Sequence, residues 1–424
     1  MWLDAQIDRD DRKLLRDLAL RVAAISATEE NAARWDLWRR HNRLEQTRPL
    51  VKVSPEGSWD EIFPESALEC GSELSRFYEL DLRKRLYHWD YLRDDTYIAP
   101  TVHVPIEFVN TRWGVNPAQI APDEERGAWK YDHPIKTTED SKLIKAPAIE
   151  IDEVASRRRL EIVRDLFGDI LEVKQARTLW DLGLDTYIVD SLVALRGNQQ
   201  FLEDMFDRPE WVHEVLGFMT DSTIDLIDHL AENVQLEMNN GATCDGLGFI
   251  YITDELPAGD FDGEHVRPRD LWNVSNAQEF TGVSPDMHYE FGLQYQIRIA
   301  EKFGLNSYGC CEPLDRKLDY VKMIPGLRRV SISPWADVRR SAEGLLGDYV
   351  FSWKPNPACV AGDGFDAGRI RNEIRETIRI AREHGCVLEM ILKDTHTVRQ
   401  QPRRLQAWVE IAKEEAGAEC LAAR

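Results

Sequence analysis

The chain reads as an α/β protein, a (β/α)8 TIM barrel with a helical N-terminal extension and irregular insertions. Three observations predict this. Short apolar runs alternate with amphipathic helical stretches from about residue 150 to the C-terminus. Four of these runs end in reactive side chains: Phe249–Ile252 before Thr253-Asp254-Glu255, Leu305–Tyr308 before Cys310-Cys311-Glu312, Tyr349–Trp353 before Lys354, and Val387–Leu392 before Lys393-Asp394-Thr395-His396. Strand–helix repeats bring all strand C-termini to one side of a parallel sheet, so these clusters converge at one rim. Finally, no Gly-x-Gly-x-x-Gly follows a strand and no Gly-Lys-Ser/Thr phosphate loop occurs, which argues against the open nucleotide-binding sheets.

The elements follow in order. Residues 1–48 form the extension, where Leu14, Leu15, Leu18, Ala19 and Val22 recur at helical spacing and Trp35 and Trp38 share a face of the next helix. Arg48-Pro49 ends that run, Leu50–Val53 is the first strand, and Pro55-Glu56-Gly57-Ser58-Trp59 is the turn after it. The barrel spans 49–424, with an irregular insertion at about 60–148 that holds the short run Thr101–Pro105. A helix at 151–167 precedes the run Ile170–Val173, and Pro209–Glu232 is a long helix with proline suited to its first turn. Helices at 285–303, 314–324 and 337–346 flank the runs already named and a further strand, Arg329–Ser333. Asp366 is the N-cap of a helix in which Ile370, Ile374 and Ile378 recur at i,i+4. Val387–Leu392, apolar apart from Glu389, suits a strand buried on both faces, and a final helix runs from about Pro402 to Ala416.

Composition limits the partners. Of 424 residues, 43% are hydrophobic and 30% charged, as in ordinary globular proteins, and 13 Trp supply core and pocket walls. Against 53 Lys and Arg stand 75 Asp and Glu, a formal charge of -22 that opposes binding to nucleic acid or an anionic membrane. The N-terminal residues lack the positive start and apolar run of a secretion signal, and no apolar stretch approaches the ~20 residues needed to span a bilayer. Seven scattered cysteines suit a reducing cytoplasm. A homodimer is compatible with the sequence.

The candidate site residues come from the strand ends. Cys310, Cys311 and Glu312 combine soft and hard ligands at one spot, and a catalytic zinc needs three protein ligands with one position open. The plainer alternative is that the cysteines are small buried hydrophobes. Asp394 and His396 either complete such a site, serve as acid and base, or anchor a loop. Asp254 and Glu255 offer paired carboxylates, with a helix cap as the alternative for Asp254. Lys354 beside Trp353 suits an anionic substrate group or a carboxylate in the mouth. His288 follows Asp286 and precedes Gly292, close to a cobalt-ligating Asp-x-His-x-x-Gly loop, but the glycine falls one residue late and the residues open a helix.

Several segments together resemble the superfamily of uroporphyrinogen decarboxylases and cobalamin-dependent methyltransferases. Ser284-Pro285-Asp286-Met287-His288-Tyr289-Glu290-Phe291 resembles its Ser-Pro helix start, and the Asn306–Cys311 strand end resembles its His-x-Cys-Gly strand. Gly183, Arg196-Gly197, Phe201-Leu202-Glu203-Asp204 and Pro209-Glu210-Trp211-Val212 resemble its central helical region. The Arg-rich signature of true uroporphyrinogen decarboxylases has no counterpart at Pro49–Trp59. Tyr308 stands where the zinc-ligating His would be, Cys310 matches the Cys, and Asp394 or His396 replaces the last-strand Cys. The resemblance implies a methyltransferase whose partners are a small-molecule methyl donor and a corrinoid protein that carries the cobalamin, with zinc assisting at the barrel mouth. A lyase acting on a small carboxylated substrate is the alternative, and a non-catalytic binding protein on an enzyme scaffold is a third.

Overall fold

The computed structural model describes residues 7–120, 130–242 and 248–422. Two helices open the chain, α1 (Arg9–Ser26) and α2 (Glu29–Asn42), capped by the side chains of Asp8 and Thr28. α1 buries Leu15, Leu18, Ala19 and Val22 in a cluster with Leu74, Tyr78 and Leu82 of the helix Glu73–Tyr87. α2 buries Trp38, whose indole N–H donates to the Asp95 carbonyl at 2.7 Å.

The described strands are β1 (Leu50–Val53), β2 (Thr101–Pro105), β3 (Glu107–Asn110), β4 (Ala118–Ile120), β5 (Lys130–Asp132), β6 (Ile149–Asp152), β7 (Glu172–Ala176), β8 (Trp272–Ser275), β9 (Leu305–Tyr308), β10 (Leu327–Ile332), β11 (Val350–Trp353) and β12 (Val387–Leu392). Six of them form one sheet in the order β1-β12-β11-β10-β9-β8, every pair parallel. The others pair as β2–β7, β3–β6 and β4–β5. Outward residues, among them Val330, Ile332, Phe351, Leu388 and Met390, form one apolar layer with Ile370, Ile374 and Ile378 of the helix Ala367–Glu383.

The expected closed ring of eight ladder strands is not present among the described residues. Side chains occupy both free edges of the sheet instead. On β1, Asp95 accepts from Val51 N (2.8 Å) and Asp94 from Val53 N (3.0 Å). On β8, Asn239 exchanges two hydrogen bonds with the Trp272 backbone (2.8 and 2.9 Å), and the Thr186 hydroxyl donates to Val274 O at 2.8 Å. Such contacts satisfy edge amides and carbonyls without a further strand. The sheet nonetheless curls, because Trp272 and Val274 of β8 and Ile391 of β12 share a cluster with Phe249 and Tyr251.

That cluster corrects a second expectation. Phe249–Ile252 is not a ladder strand ending at the rim. It lies inside the curl and runs the other way, with Gly248 beside Ser54 and Ile391, while the Ile250 and Ile252 carbonyls accept from Asn42 of α2 at 3.1 and 2.7 Å. Its apolar character reflects burial among aromatic residues, which periodicity cannot tell from burial in a sheet. The expected run Ile170–Val173 is likewise displaced, to Glu172–Ala176. Among the described residues, no helix is long and apolar enough to cross a membrane.

The inner face is polar at its floor. Arg329 Nε lies 2.9 Å from Glu389 Oε1, and His41 Nε2 lies 3.2 Å from Glu389 Oε2, with all three side chains buried. The guanidinium also donates to Asn42 Oδ1 (2.6 Å) and Ile250 O (3.1 Å) and sits 5.0, 5.7 and 5.6 Å from the rings of Phe249, Tyr251 and Trp272. Burial alone would raise the Glu389 pKa, but Arg329 and the His41 hydrogen bond hold it well below the carboxylate range. Burial outweighs the pull of Glu389 on His41 and keeps that imidazole neutral.

Both depressed values give stability that is present at neutral pH and lost on acidification. His41 contributes first, as the pH falls below its ordinary value of 6.5. Glu389 follows below its ordinary 4.5. Glu389→Gln leaves the Arg329 cation buried without its partner and should cost about 3–5 kcal/mol, read from urea denaturation at pH 7.5. An unchanged denaturation midpoint would show that the ion pair contributes nothing.

Candidate active site

The C-terminal ends of β1, β9, β11 and β12 meet at one rim. Cys310 Sγ and Cys311 Sγ are 3.4 Å apart, Lys393 Nζ is 3.6 Å from Cys310 Sγ and 3.1 Å from Asp394 Oδ1, and Cys311 Sγ is 3.8 Å from Asp394 Oδ2. Gly309 directs the thiols here. Its amide keeps the ladder bond to Ser275 O at 2.9 Å, but its φ of +95° breaks the strand's alternation. Tyr308, by the strand's ordinary alternation, faces the outer helical layer, and the break at Gly309 lets Cys310 join the inner cluster with Phe249 and Ile391.

The two thiols behave as one acid. The Cys310 S–H donating to Cys311 lowers the Cys311 pKa, and Lys393 adds to that effect, while the same bond and burial hold the Cys310 proton. Burial opposes the Lys393 charge, yet the thiols and Asp394 outweigh it and keep the ammonium protonated well above its ordinary value.

Asp394 also belongs to a second group. One ligand atom each from Glu56, Asp394 and His396 lies within 4.8 Å of the others. Glu56 comes from the turn after β1 and the other two from the loop after β12, and hydrogen bonds lace these segments together. Thr395 Oγ1 donates to Pro55 O (2.8 Å) and Ser58 N to Thr395 O (2.9 Å), while Glu61 accepts from Val398 N (3.1 Å) and Gln400 N (2.8 Å). Gly57 permits the approach, since a Cβ there would lie 3.2 Å from His396 Cα and 3.3 Å from its Nδ1. Glu56 and Asp394 hold φ of 47° and 57°, a left-handed conformation that costs a non-glycine residue on the order of 1–3 kcal/mol. Glu56 Oε1 is shielded from solvent without a hydrogen-bond partner in the described structure. Two carboxylates and an imidazole, one oxygen unpaired, fit the oxygen and nitrogen chemistry of zinc with a coordination position left open.

The remaining expected residues separate. Lys354 lies just inside the rim, its Nζ donating to Ser352 Oγ at 2.8 Å and standing 4.3 Å from the Phe249 ring centre. Glu312, expected as a metal ligand, turns away from the thiols and accepts from the backbone N–H of Ala277 (3.1 Å) and Cys310 (2.9 Å), joining the loops after β8 and β9. Both oxygens are thus committed to amides, and burial raises its pKa. His288 sits behind β9, with Nε2 2.7 Å from the Tyr308 hydroxyl. Burial, aided by Lys317, lowers its pKa to about 3, so it is a neutral packing residue and Tyr308 is not available to a metal at the rim.

Asp254 and Glu255 lie at the opposite end of the sheet. Asp254 pairs with Arg39 (2.9 Å) in the last turn of α2 and with Arg43 (3.1 Å) just beyond it, and Glu255 pairs with Arg328 at the start of β10. They moved with the misread run 249–252. Conversely, Glu56 was read only as part of a turn, although a carboxylate between Pro55 and Gly57 directly after the first strand was the available signal.

No family model matches the sequence, and no curated protein matches it. The structure is similar to a solved methyltransferase from Methanosarcina mazei, with a TM-score of 0.51 and 12% identity over 89% of this chain and 97% of that one. At that identity the likeness establishes a shared fold alone.

The shared proton of the thiol pair makes a direct prediction. Thiolate absorbance at 240 nm should report one ionisation below the ordinary thiol value of 9.0 and a second far above it. Lys393→Met should move the first ionisation upward by about one unit or more, the effect of removing an adjacent cation. Two thiols titrating together at an ordinary value would contradict the arrangement.

Proposed function

We propose that the chain is a cobalamin-dependent methyltransferase that moves a methyl group from a methoxylated or methylated small molecule to the cob(I)alamin of a separate corrinoid protein. The supporting observation is the meeting of Cys310, Cys311, Lys393, Asp394, Glu56 and His396 at the C-terminal rim of a parallel sheet, where such folds carry chemistry. This reading takes the curled sheet as a barrel of the uroporphyrinogen decarboxylase-like superfamily, and the fold likeness to a methyltransferase agrees with it.

The chemical problem is the leaving group. Removing the methyl group from a methoxylated donor would break the C–O bond with its electron pair on oxygen, and that negative charge would need stabilisation. Lys393, held protonated beside the thiols, supplies a positive charge at the rim that would stabilise the departing oxygen until it takes a proton from solvent. Zinc held by Glu56, Asp394 and His396 would supply Lewis acidity to the same oxygen. Cys311, the more exposed thiol, stands next to Asp394 as a further soft ligand. The aromatic rings of Phe249 and Tyr251 below the rim exclude water from the floor.

A second reading, a lyase acting on a small carboxylated substrate, draws on the buried Lys354 and Lys393, which would hold a carboxylate. It requires CO₂ release without cobalamin.

The deciding measurement is the loss of cob(I)alamin absorbance on mixing with the purified protein and a panel of methoxylated compounds. Transfer by the wild type should fall roughly 10²–10⁴-fold in Lys393→Met. Release of CO₂ with no cobalamin requirement would replace this reading by the second. Elemental analysis tests the metal separately. One zinc per chain is expected in the wild type, with affinity weakened at least about tenfold in Glu56→Gln and His396→Ala. Zinc lost only in Cys310→Ala would assign the ion to the thiols instead.

A further inference from the structure

Cys310 and Cys311 bring their sulfur atoms to 3.4 Å from each other. Successive side chains on an extended chain point to opposite faces, so neighbouring cysteines do not meet by default. Here the chain bends after β9, and the bend is anchored at the first cysteine. The Cys310 N–H donates to Glu312 Oε2 at 2.9 Å, and the Cys310 carbonyl accepts from Ser331 Oγ of β10 at 3.1 Å. The loop thus holds the sulfurs close to bonding range, which is about 2.05 Å in a disulfide.

The two thiols differ in access. Cys311 is half-buried and open to a small reagent, whereas Cys310 is buried. Lys393 Nζ, 3.6 Å from Cys310 Sγ, sets a positive charge beside the pair, the surroundings in which cysteines react. Cys70 and Cys386 are packing residues by comparison, the first in the cluster around α1, the second with its thiol donating to Ala342 O at 3.6 Å. The Cys310–Cys311 peptide is trans, so the Cα atoms stand about 3.8 Å apart, inside the about 4.4–6.8 Å span of ordinary disulfides. A ring this small is strained, and strained disulfides are readily reduced, which suits a reversible modification.

We propose that Cys310 and Cys311 are a redox modification site, forming a reversible vicinal disulfide by exchange with a low-molecular-weight disulfide. The Cys311 sulfur attacks the S–S bond of the reagent, forming a mixed disulfide and expelling one thiolate, which takes up the Cys311 proton. The Cys310 sulfur then attacks Cys311 Sγ, forming the vicinal bond and expelling the second thiolate, which takes up the Cys310 proton. The protein gives up two electrons and two protons, and the reagent is reduced to two thiols. The oxidised pair no longer carries the S–H that Cys311 directs at Asp394 Oδ2, 3.8 Å away. The step lies at the rim but does not depend on the methyl-transfer reading.

The full-length protein, first reduced and then exposed to oxidised glutathione, is quenched with acid, alkylated under denaturing conditions and digested with trypsin. Both cysteines fall in one peptide, residues 303–316. That peptide should lose both alkyl labels, weigh two hydrogens less than the unlabelled reduced form and carry no glutathione, and dithiothreitol should restore both labels. Cys310→Ser removes the resolving sulfur and should retain glutathione on Cys311 at least about tenfold more than the wild type does. Cys311→Ser, whose remaining thiol is buried, should take up little. The proposal is overturned if the wild type keeps both labels, if it accumulates glutathione as Cys310→Ser does, or if either sulfur is found joined to a different peptide. The wild-type measurement decides the first and third of these without any variant having to fold.

Discussion

The arrangement of the whole inner face follows from one buried ion pair, Arg329 with Glu389. Along β12, Glu389, Ile391 and Lys393 share a side, because strand residues alternate. Seating Glu389 on Arg329 at the floor therefore turns Lys393 inward at the rim, next to Cys310. A slip of one residue would push Glu389 into the apolar layer of Ile370, Ile374 and Ile378 and swing Lys393 outward. The ion pair need not add net stability over a well-packed apolar alternative. What it supplies is register, and the register decides whether the rim assembles. Its reach extends to α2, since His41 and Asn42 join the same network, so the N-terminal helices are bound to the floor of the sheet.

The need for such a device comes from how the sheet ends. A fully closed ladder fixes strand register around its circumference, but here Asp94 and Asp95 cover β1 while Asn239 and Thr186 cover β8. Side-chain caps satisfy the edges without imposing register on the interior segment 248–252. That segment is held by the Asn42 bonds to its carbonyls and by the aromatic faces around Arg329. The floor network thus takes over a task that additional strands perform in a complete barrel.

The same physics explains what the sequence made visible. β9, β11 and β12 were legible because strands buried on both faces are short, dense apolar runs between helical patterns. β8 was not, since Trp272-Asn273-Val274-Ser275 alternates with polar residues that bond within the structure, Asn273 to Asn306 at 3.0 Å. Phe249–Ile252 misled because burial among rings and burial in a sheet select the same residues, and Asp254 and Glu255 were misplaced with it. At the rim, Cys310, Cys311, Asp394 and His396 came from strand ends alone. Glu312 folded back onto amides and Tyr308 took the outward phase of its strand, while the positive φ at Gly309 that brings Cys310 inward is announced by no residue pattern. Glu56 required knowing that β1 pairs with β12, a contact between residues far apart in the chain.

The rim itself holds an electrostatic conflict. Glu56 and Asp394 bring two carboxylates to one imidazole, and Lys393 touches only Asp394. Like charges at this spacing repel unless a cation lies between them or one group takes a proton. The bonds that force them together run through Thr395, Ser58 and Glu61, not through the ligand atoms, so the loops hold the cluster in place independently of any occupant. Backbone held in left-handed conformations at both carboxylates adds to the cost of keeping it so. An arrangement that keeps an unpaired carboxylate oxygen shielded against repulsion and strain is organised toward a positive partner. A cation held there would set the charge of the rim.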